Sequence, residues 1–218
     1  MTTLRCTLIV LAKAPLAGYA KTRLAPALGE AGAAALAARL LSHTLAQALA
    51  ADLGPVDLCC APSRLHPAFA AFARPGIEMF DQGDGDLGQR MQHAFARRLG
   101  PGSHALLIGS DAPALDAALL RRATLLLRTT DAVFVPALDG GYALIGLRRP
   151  APGLFEGMTW STASVMAETR RRLAAARLRH TELPAVADID TPADLVHLPA
   201  GWQEHFPTEH FTTGTRPC

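Results

Sequence analysis

The sequence predicts an α/β protein of three layers, in which helices cover both faces of a mostly parallel, mixed central sheet. Short apolar runs alternate along the chain with longer segments whose apolar residues recur at helical spacing. The short runs are continuously apolar, as in strands that are buried on both faces. The chain has 218 residues, and half of them are apolar. That length suits one such domain, which we place at residues 1–198, with a tail at 199–218.

Seven segments are predicted as strands, and the short apolar runs account for most of them. The fifth and sixth strands are separated by Asp139, Gly140 and Gly141, which are typical turn residues. The predicted strands are residues 4–12, 56–61, 77–80, 104–109, 131–136, 142–148 and 179–184.

Six segments are predicted as helices, five of them between these strands and one after the last strand. The first is rich in alanine, the strongest helix former. Ser63, Asp116 and Thr191 stand where N-caps are expected, and Pro192 would occupy the first position of the last helix. The predicted helices are residues 31–51, 63–74, 86–99, 116–129, 161–177 and 191–198.

The composition argues against several classes of protein. The formal net charge is only +2, so no nucleic-acid partner is expected, because such a partner usually requires a strongly basic face. The cysteines include no Cys-x-x-Cys pair, which argues against a zinc or thioredoxin-like site. The N-terminal apolar stretch, residues 6–12, is too short to span a membrane. We therefore expect a cytoplasmic protein without a membrane span, and we leave a homo-oligomer open.

Basic residues concentrate directly after the first predicted strand. Lys13, Lys21 and Arg23 lie in a segment that has no acidic residue before Glu30. Arginine offers a bidentate fork to phosphate oxygens, and lysine offers a mobile point charge. The segment matches neither a Walker P-loop nor a dinucleotide fingerprint. An ordinary surface loop is the alternative, but the clustering favours a phosphate site built from these three side chains.

Glycines cluster between the third predicted strand and the helix that follows it. Three glycines within six residues permit close approach to a flat ligand such as a nucleotide base. We assign Gly83, Gly88 and Arg90 to nucleotide or phosphate binding. The alternative is a loop that leads into a helix capped by Asp84 or Asp86, and the spacing favours neither interpretation.

Aspartates follow two of the later segments. Asp111 comes after a buried strand, where a carboxylate is a suitable ligand for Mg²⁺ or Mn²⁺, although it could instead cap the next turn. Asp188 and Asp190 alternate on an extended segment, and we expect them to face opposite ways. One would complete a metal site with Asp111, and the other would cap the last helix with Thr191. The spacing does not decide which of the two takes which role.

The turn between the fifth and sixth strands is the last candidate segment. Asp139, Gly140 and Gly141 form a strong hairpin signal, which is the structural alternative. The functional interpretation places Asp139 and the glycine backbone beside the acceptor. Tyr142 would then stack on the acceptor or hydrogen-bond to it. We add Trp160 to the acceptor side, although the segment that begins with it could simply cap a helix.

These segments together resemble the GT-A-type nucleotide-diphospho-sugar transferase superfamily. The likeness is greatest to a family of small bacterial glycosyltransferase-like proteins of largely unknown function. It includes Ala-Lys-Thr-Arg-Leu at 20–24 and Gly-Ser-Asp-Ala-Pro at 109–113. The other matching segments are 13–15, 83–91, 139–147, 160–162 and 188–192. The run at 20–24 is also similar to one in guanylyltransferases that act on phospholactate.

The resemblance implies a metal-dependent transferase that takes a nucleotide or NDP-sugar donor and an unknown small acceptor. It gives Asp111 the role of the metal-binding aspartate, with a helper from Asp188 or Asp190. Lys21 and Asp139 are the other catalytic candidates. A glycosyltransferase is the first hypothesis. The alternatives are a nucleotidyltransferase, which would use an NTP and release pyrophosphate, and a non-catalytic nucleotide-binding module.

Overall fold

A seven-stranded mixed sheet forms the centre of the protein. The structure, a computed structural model, describes residues 6–206. The strands are β1 (Cys6–Lys13), β2 (Val56–Ala61), β3 (Ile77–Asp81), β4 (His104–Gly109), β5 (Ala132–Pro136), β6 (Tyr142–Leu147) and β7 (His180–Glu182). Their order across the sheet is β3-β2-β1-β4-β6-β5-β7. Only β6 runs antiparallel to its neighbours, β4 and β5. The predicted fold class is confirmed.

Four α-helices cover the sheet: α1 (Ala25–Ala51), α2 (Leu87–Arg98), α3 (Ala117–Leu126) and α4 (Val165–Ala175). Side chains of α1 and α3 pack on one face of the sheet, and those of α2 and α4 pack on the other. Alternate residues of each central strand point to the two faces, so Leu8 and Val10 join the first cluster while Ile9 joins the second. This burial on both sides explains the continuously apolar strands.

Short 3₁₀-helices occupy several connections: Thr22–Leu24, Pro67–Phe72, Pro152–Leu154, Pro192–His197 and Ala200–His205. Residues 4 and 5 of the first predicted strand, and most of the predicted tail, lie outside the described residues. The segment 22–51 is long and apolar enough to cross a membrane by length and composition alone, a test that core helices also pass. In this fold, Leu36, Leu41 and Leu45 of that segment are buried in the domain.

The predicted helix at 63–74 is wrong. The chain instead forms a 3₁₀-helix over Pro67–Phe72, and its N-cap is His66, whose Nδ1 accepts a hydrogen bond from the Ala68 amide. Proline restricts the residue before it to extended conformations, and His66 has φ −64° and ψ 130°. A helix that began at Ser63 could not continue through this position.

Two other predicted helices have different starts. The first begins six residues earlier than predicted, at Ala25, and it contains a break at Gly29, where φ is +70°. The predicted helix at 161–177 begins only at Val165. The predicted last helix, at 191–198, is a 3₁₀-helix over Pro192–His197.

A buried ion pair joins the sheet to α2. Asp57 on β2 is fully buried, and its two carboxylate oxygens each accept a hydrogen bond of 2.7 Å from Arg98. Arg98 also donates to Glu78 on β3 at 2.6 Å. The hydrogen bonds to Asp57, helped by the one to Glu78, outweigh the lowering effect of burial and raise the pKa of Arg98 above its ordinary value. The carboxylate of Asp57 thus depends on one side chain for its counter-charge.

Candidate functional site

A cavity of about 590 Å³ opens at the carboxyl ends of β1 and β4. Lys13, at the end of β1, and Gly109, at the end of β4, both line it. The start of α2 and the start of β6 supply two further walls, with Leu87 and Tyr142 among their residues. This edge of the sheet is where open α/β sheets place their ligands.

Lys21 occupies the centre of the charged part of the cavity. Its ammonium lies 2.8 Å from Asp111 Oδ1 and 3.1 Å from Asp190 Oδ1, and only 6% of the side chain is exposed. Burial alone would lower the pKa of Lys21. The two carboxylates outweigh that effect, so the pKa is raised and the side chain stays charged. The residue adopts a left-handed conformation, with φ 52° and ψ 38°, which turns its side chain into the cavity.

The other predicted cations lie around this position. Lys13 and Arg90 line the cavity. The Nε atom of Arg90 donates to the carbonyl of Gly85 at 3.0 Å, which fixes the guanidinium beside the loop. Arg23 is not among the lining residues. It reaches Asp190 Oδ2 at 3.5 Å from outside, and 68% of its side chain is exposed.

The carboxylates Asp111, Asp139, Asp188 and Asp190 all line the same cavity. Burial raises the pKa of Asp188, and the negative charges of Asp139, Asp190 and Asp194 raise it further. Together these four acidic residues form the acidic wall of the cavity, and Lys21 pairs with two of them, Asp111 and Asp190.

The expectation that Asp188 and Asp190 face opposite ways is wrong. Residues two apart on an extended segment share a face, and both side chains line the cavity. Neither of them caps the last helix. Thr191 is its N-cap, as predicted, and the partner of Thr191 is Asp194, whose Oδ2 accepts hydrogen bonds from the backbone N–H and the hydroxyl of Thr191. The segment is fixed beside β4 by the amide of Ile189, which donates to the carbonyl oxygen of Asp111 at 2.9 Å.

The donor set of this wall fits a hard divalent cation. Its ligand atoms are carboxylate oxygens, which Mg²⁺ and Mn²⁺ prefer. The pKa of Asp188 is raised first by burial and then by neighbouring negative charge, and a cation would offset both effects. About half of each side chain of Asp111 and Asp190 is exposed and can be reached from the cavity. Within residues 6–206, no three acidic, histidine or cysteine side chains already stand in a metal-binding group. A metal would therefore have to share its ligands with Lys21.

Aromatic side chains form another wall of the cavity. Tyr142 and Trp160 line the cavity with their rings 6.5 Å apart in an edge-to-face arrangement. Burial raises the pKa of Tyr142, so its hydroxyl stays protonated, and it lies 3.9 Å from Met91 Sδ. Among the described residues, the buried Nε1 of Trp160 has no hydrogen-bond partner.

Several of the predicted glycines act through packing. Gly141 lines the cavity, and its N–H donates to Asp139 Oδ1 at 2.8 Å. Gly140 does not line it; its φ is +94°, and a Cβ there would collide with the carbonyl of Ala163. Gly83 and Gly88 are also absent from the cavity wall. Of the four glycines that the sequence assigned to the ligand site, the structure thus places only Gly141 on the cavity wall.

Gly88 allows Trp160 to pack on the first turn of α2. A Cβ at this position would lie 2.8 Å from the Phe155 carbonyl oxygen and 2.9 Å from the Trp160 indole. We expect Gly88→Ala to displace the indole and to lower the free energy of unfolding by about 1–3 kcal/mol. Urea denaturation measures this. Gly153→Ala is the matched control, because a Cβ there meets nothing within 4 Å. Equal stability of the two variants would contradict this packing role.

Some lining residues were not predicted. Ser110, Ser161 and Thr162 belong to predicted segments, but no pattern singled them out. Asp86 was considered only as a helix cap, and it does cap α2 through a reciprocal capping box with Gln89. Gln82 also lines the cavity from the end of β3. Its only sequence signal is its position directly after β3, at the start of the glycine-rich segment.

The order of the strands and the charged cavity at their carboxyl edge define a protein of the nucleotide-diphospho-sugar transferase fold class. The particular family follows from the sequence: the chain belongs to the family described as "uncharacterized protein conserved in bacteria (DUF2064)", whose model matches residues 44–162, more than half of the chain. That match includes Asp111, Asp139 and Trp160 but neither Lys21 nor Asp190. No curated protein matches the sequence.

Solved structures support the same class. A candidate nucleotide-diphospho-sugar transferase from Desulfovibrio desulfuricans G20 is 31% identical, with a TM-score of 0.82 over 91% of this chain and 90% of that chain. Rv0371C of Mycobacterium tuberculosis, solved in complex with manganese, is 19% identical, with a TM-score of 0.56 over 94% and 99%. CMP:2-keto-3-deoxy-manno-octonic acid synthetase, complexed with CTP, is 14% identical, with a TM-score of 0.59 over 92% and 99%. The last two show the fold alone.

Proposed function

We propose that this protein is a transferase that uses a nucleotide donor and moves the sugar of an NDP-sugar to a small acceptor. The observation that carries the proposal is the cavity, in which buried Lys21 stands between Asp111 and Asp190 at the carboxyl edge of the sheet. A volume of about 590 Å³ suits a ligand of this size. The D. desulfuricans relative supports the same class of donor. A cytoplasmic location goes with the proposal, because nucleotide donors are available there.

In this proposal the basic side chains of the cavity bind the diphosphate. Lys13, Lys21 and Arg90 line one cavity, and a substrate diphosphate would bring negative charge to them. Lys21 is already fixed by two ion pairs, so little side-chain freedom would be lost when a phosphate arrives. Its charge would also stabilise the charge that grows on the leaving nucleoside diphosphate.

A divalent metal is part of the proposal. Asp111, together with Asp188 or Asp190, would hold Mg²⁺ or Mn²⁺, which would neutralise the diphosphate. Two observations support this assignment: the oxygen-only donor set, and the burial and neighbouring negative charge that together raise the pKa of Asp188. The manganese complex of Rv0371C shows that a protein of this fold can bind such an ion.

The acceptor would lie between Asp139 and the aromatic wall. Asp139 Oδ1 accepts the Gly141 N–H, which holds the carboxylate at the rim of the cavity. It is placed to take the proton of an acceptor hydroxyl as that oxygen bonds to the sugar and the bond from the sugar to the phosphate oxygen breaks. Tyr142 and Trp160 offer apolar rings on which an acceptor could pack.

Nucleotidyl transfer is the second candidate. The observation that favours it is the Ala20–Leu24 segment, which resembles that of guanylyltransferases and brings Lys21 into the cavity. The same cations would then serve an NTP, the acceptor would attack its α-phosphate, and pyrophosphate would leave.

The reaction product separates the two candidates. The protein is incubated with Mn²⁺ and either a panel of NDP-sugars or a panel of NTPs, and free NDP and pyrophosphate are assayed. We expect free NDP from at least one NDP-sugar, and we expect its release to stop when the metal is chelated. Pyrophosphate from an NTP without NDP from any NDP-sugar would replace the first proposal with the second. Binding without either product would favour the non-catalytic module.

A further inference from the structure

Gln82 is a nearly buried amide at the floor of the cavity, with 7% of the residue exposed. It follows β3 directly, and its backbone N–H donates to the Cys60 carbonyl at 3.0 Å. Its side-chain nitrogen, Nε2, donates to the carbonyl oxygens of Ala12 at 2.9 Å and Cys59 at 3.0 Å. The side chain thus joins the ends of β1 and β2.

These two bonds determine which way the amide points. A backbone carbonyl can only accept, so the atom that faces both Ala12 and Cys59 must be the NH₂ group. Both of its N–H donors are then used, and Oε1 points away from them. Within residues 6–206, Oε1 receives no hydrogen bond, and it is not among the buried polar atoms that are sealed from solvent without a partner. Gln82 therefore offers the cavity a fixed acceptor and no donor.

A fixed hydrogen-bond acceptor favours the part of a ligand that carries hydrogen-bond donors. Phosphate oxygens are acceptors too, so the diphosphate is disfavoured here and belongs with the cations. The same cavity has surface suited to a flat, apolar group, because Gly85 has no side chain and Leu87 and Met91 also line it. The part of a nucleotide that is flat and carries N–H donors is its base.

We propose that Gln82 is a specificity-determining residue for the nucleobase and that its Oε1 accepts a hydrogen bond from an exocyclic amino group. The inference rests on the proposed use of a nucleotide donor, and it names the class of base. An exocyclic NH₂ projects beyond the ring, so it can reach a recessed acceptor. Cytosine, adenine and guanine carry such a group. Uracil has a carbonyl where cytosine has its amino group. Hypoxanthine has a carbonyl where adenine has its amino group and a hydrogen where guanine has its own. A carbonyl at that position would face Gln82 as a second acceptor.

Matched nucleotide pairs test this on the unmodified protein. CDP against UDP, ADP against IDP, and GDP against IDP differ mainly in the amino group, and their affinities are measured by calorimetry at fixed Mn²⁺. We expect the tightest ligand to carry an amino group and to bind at least about fivefold more tightly than its partner, because the partner leaves a buried acceptor unpaired. Equal affinities within each pair, or tighter binding of UDP or IDP, would overturn the proposal.

Gln82→Met supplies the test on the protein side. It keeps the length of the side chain and removes the acceptor, so the preference within the best pair should fall to about twofold or less. A ribose hydroxyl at Oε1 would instead make the 2′-deoxy or 3′-deoxy analogues bind more weakly and leave no preference within the base pairs. That result would overturn the proposal. If no nucleotide binds the unmodified protein, the proposed function fails as well; if all bind equally, only the role of Gln82 fails. Should Gln82→Met not fold, the nucleotide pairs still decide.

Discussion

Replacement of Asp111 by asparagine is expected to lower turnover about 100- to 1,000-fold, the loss seen when one preorganised group is removed from a charged transition state. Asp111 sits directly beyond the end of β4, 2.8 Å from the Lys21 ammonium. Asparagine keeps the shape of the side chain and one acceptor oxygen but removes the negative charge. A divalent cation would lose a ligand, and Lys21 would keep only Asp190 as its charged partner. Initial rates at saturating donor measure the loss, and calorimetry with Mn²⁺ measures the weakened metal-dependent binding.

Asp52→Asn is the matched control for this variant. It makes the same chemical change at the C-terminal end of α1, at a residue that does not line the cavity. Its left-handed backbone, with φ 51°, is one that asparagine adopts readily. Turnover of this control should be unchanged. Unchanged turnover in Asp111→Asn as well would show that the metal assignment is wrong.

Replacement of Arg98 by methionine is expected to have the largest effect on stability. Asp57 is fully buried, and its two hydrogen bonds both come from Arg98. Methionine keeps much of the apolar stem and leaves a carboxylate in the interior without a counter-charge. Breaking a buried pair in this way costs about 3–5 kcal/mol. In a chain of this length, that corresponds to a fall in Tm of about 6–20 °C, measured by calorimetry.

Arg170→Met provides the comparison for this prediction. Arg170 makes the same kind of two-pronged contact with Glu182, at 2.7 and 2.8 Å, but 48% of its side chain is exposed. Water can solvate Glu182 when its partner is removed, so the expected cost is about 1 kcal/mol or less. Equal losses in the two variants would show that burial of Asp57 is not what makes its ion pair important.

The fold could be predicted because its strands are buried on both faces. Every residue of β2 is buried, and the run at 56–61 was bounded correctly from its apolar character alone. The predicted helix bounds are wrong where a single residue opposes the periodicity of the apolar residues. Pro67 prevents the helix predicted at 63–74, although the apolar spacing there is helical. Gly29 interrupts α1 just after its first turn, and the predicted helix begins only beyond that break. Helix starts depend on such single residues, whereas the periodicity of apolar residues is assessed over many positions and does not reveal them.

The candidate site could be predicted only in part. Lys21 lies in the connection after β1, and Asp111 lies two residues beyond β4, so the sequence places both near the carboxyl edge of the sheet. Gln82 also follows a strand, but the sequence does not show which way its amide points, because that orientation comes from carbonyls 70 and 23 residues away in the chain. Arg172 is similar: it donates to the carbonyls of Glu156 and Gly157 and so holds the loop before Trp160. Hydrogen bonds between a side chain and a backbone group far away in the chain produce no recognisable residue spacing, so the sequence alone does not predict them.

Protein synthesis delivers the parts of this cavity in order, and one of its walls arrives very late. The amide of Ile189 docks on the carbonyl of Asp111 and brings Asp188 and Asp190 to the rim. Until that stretch has left the ribosome, the Lys21 ammonium has only Asp111 beside it. At about 5–20 residues per second, the residues between Asp111 and Ile189 take several seconds to synthesise. A chain that stops before Ile189 thus lacks this wall, and its Lys21 loses one of the two carboxylates that hold it in place.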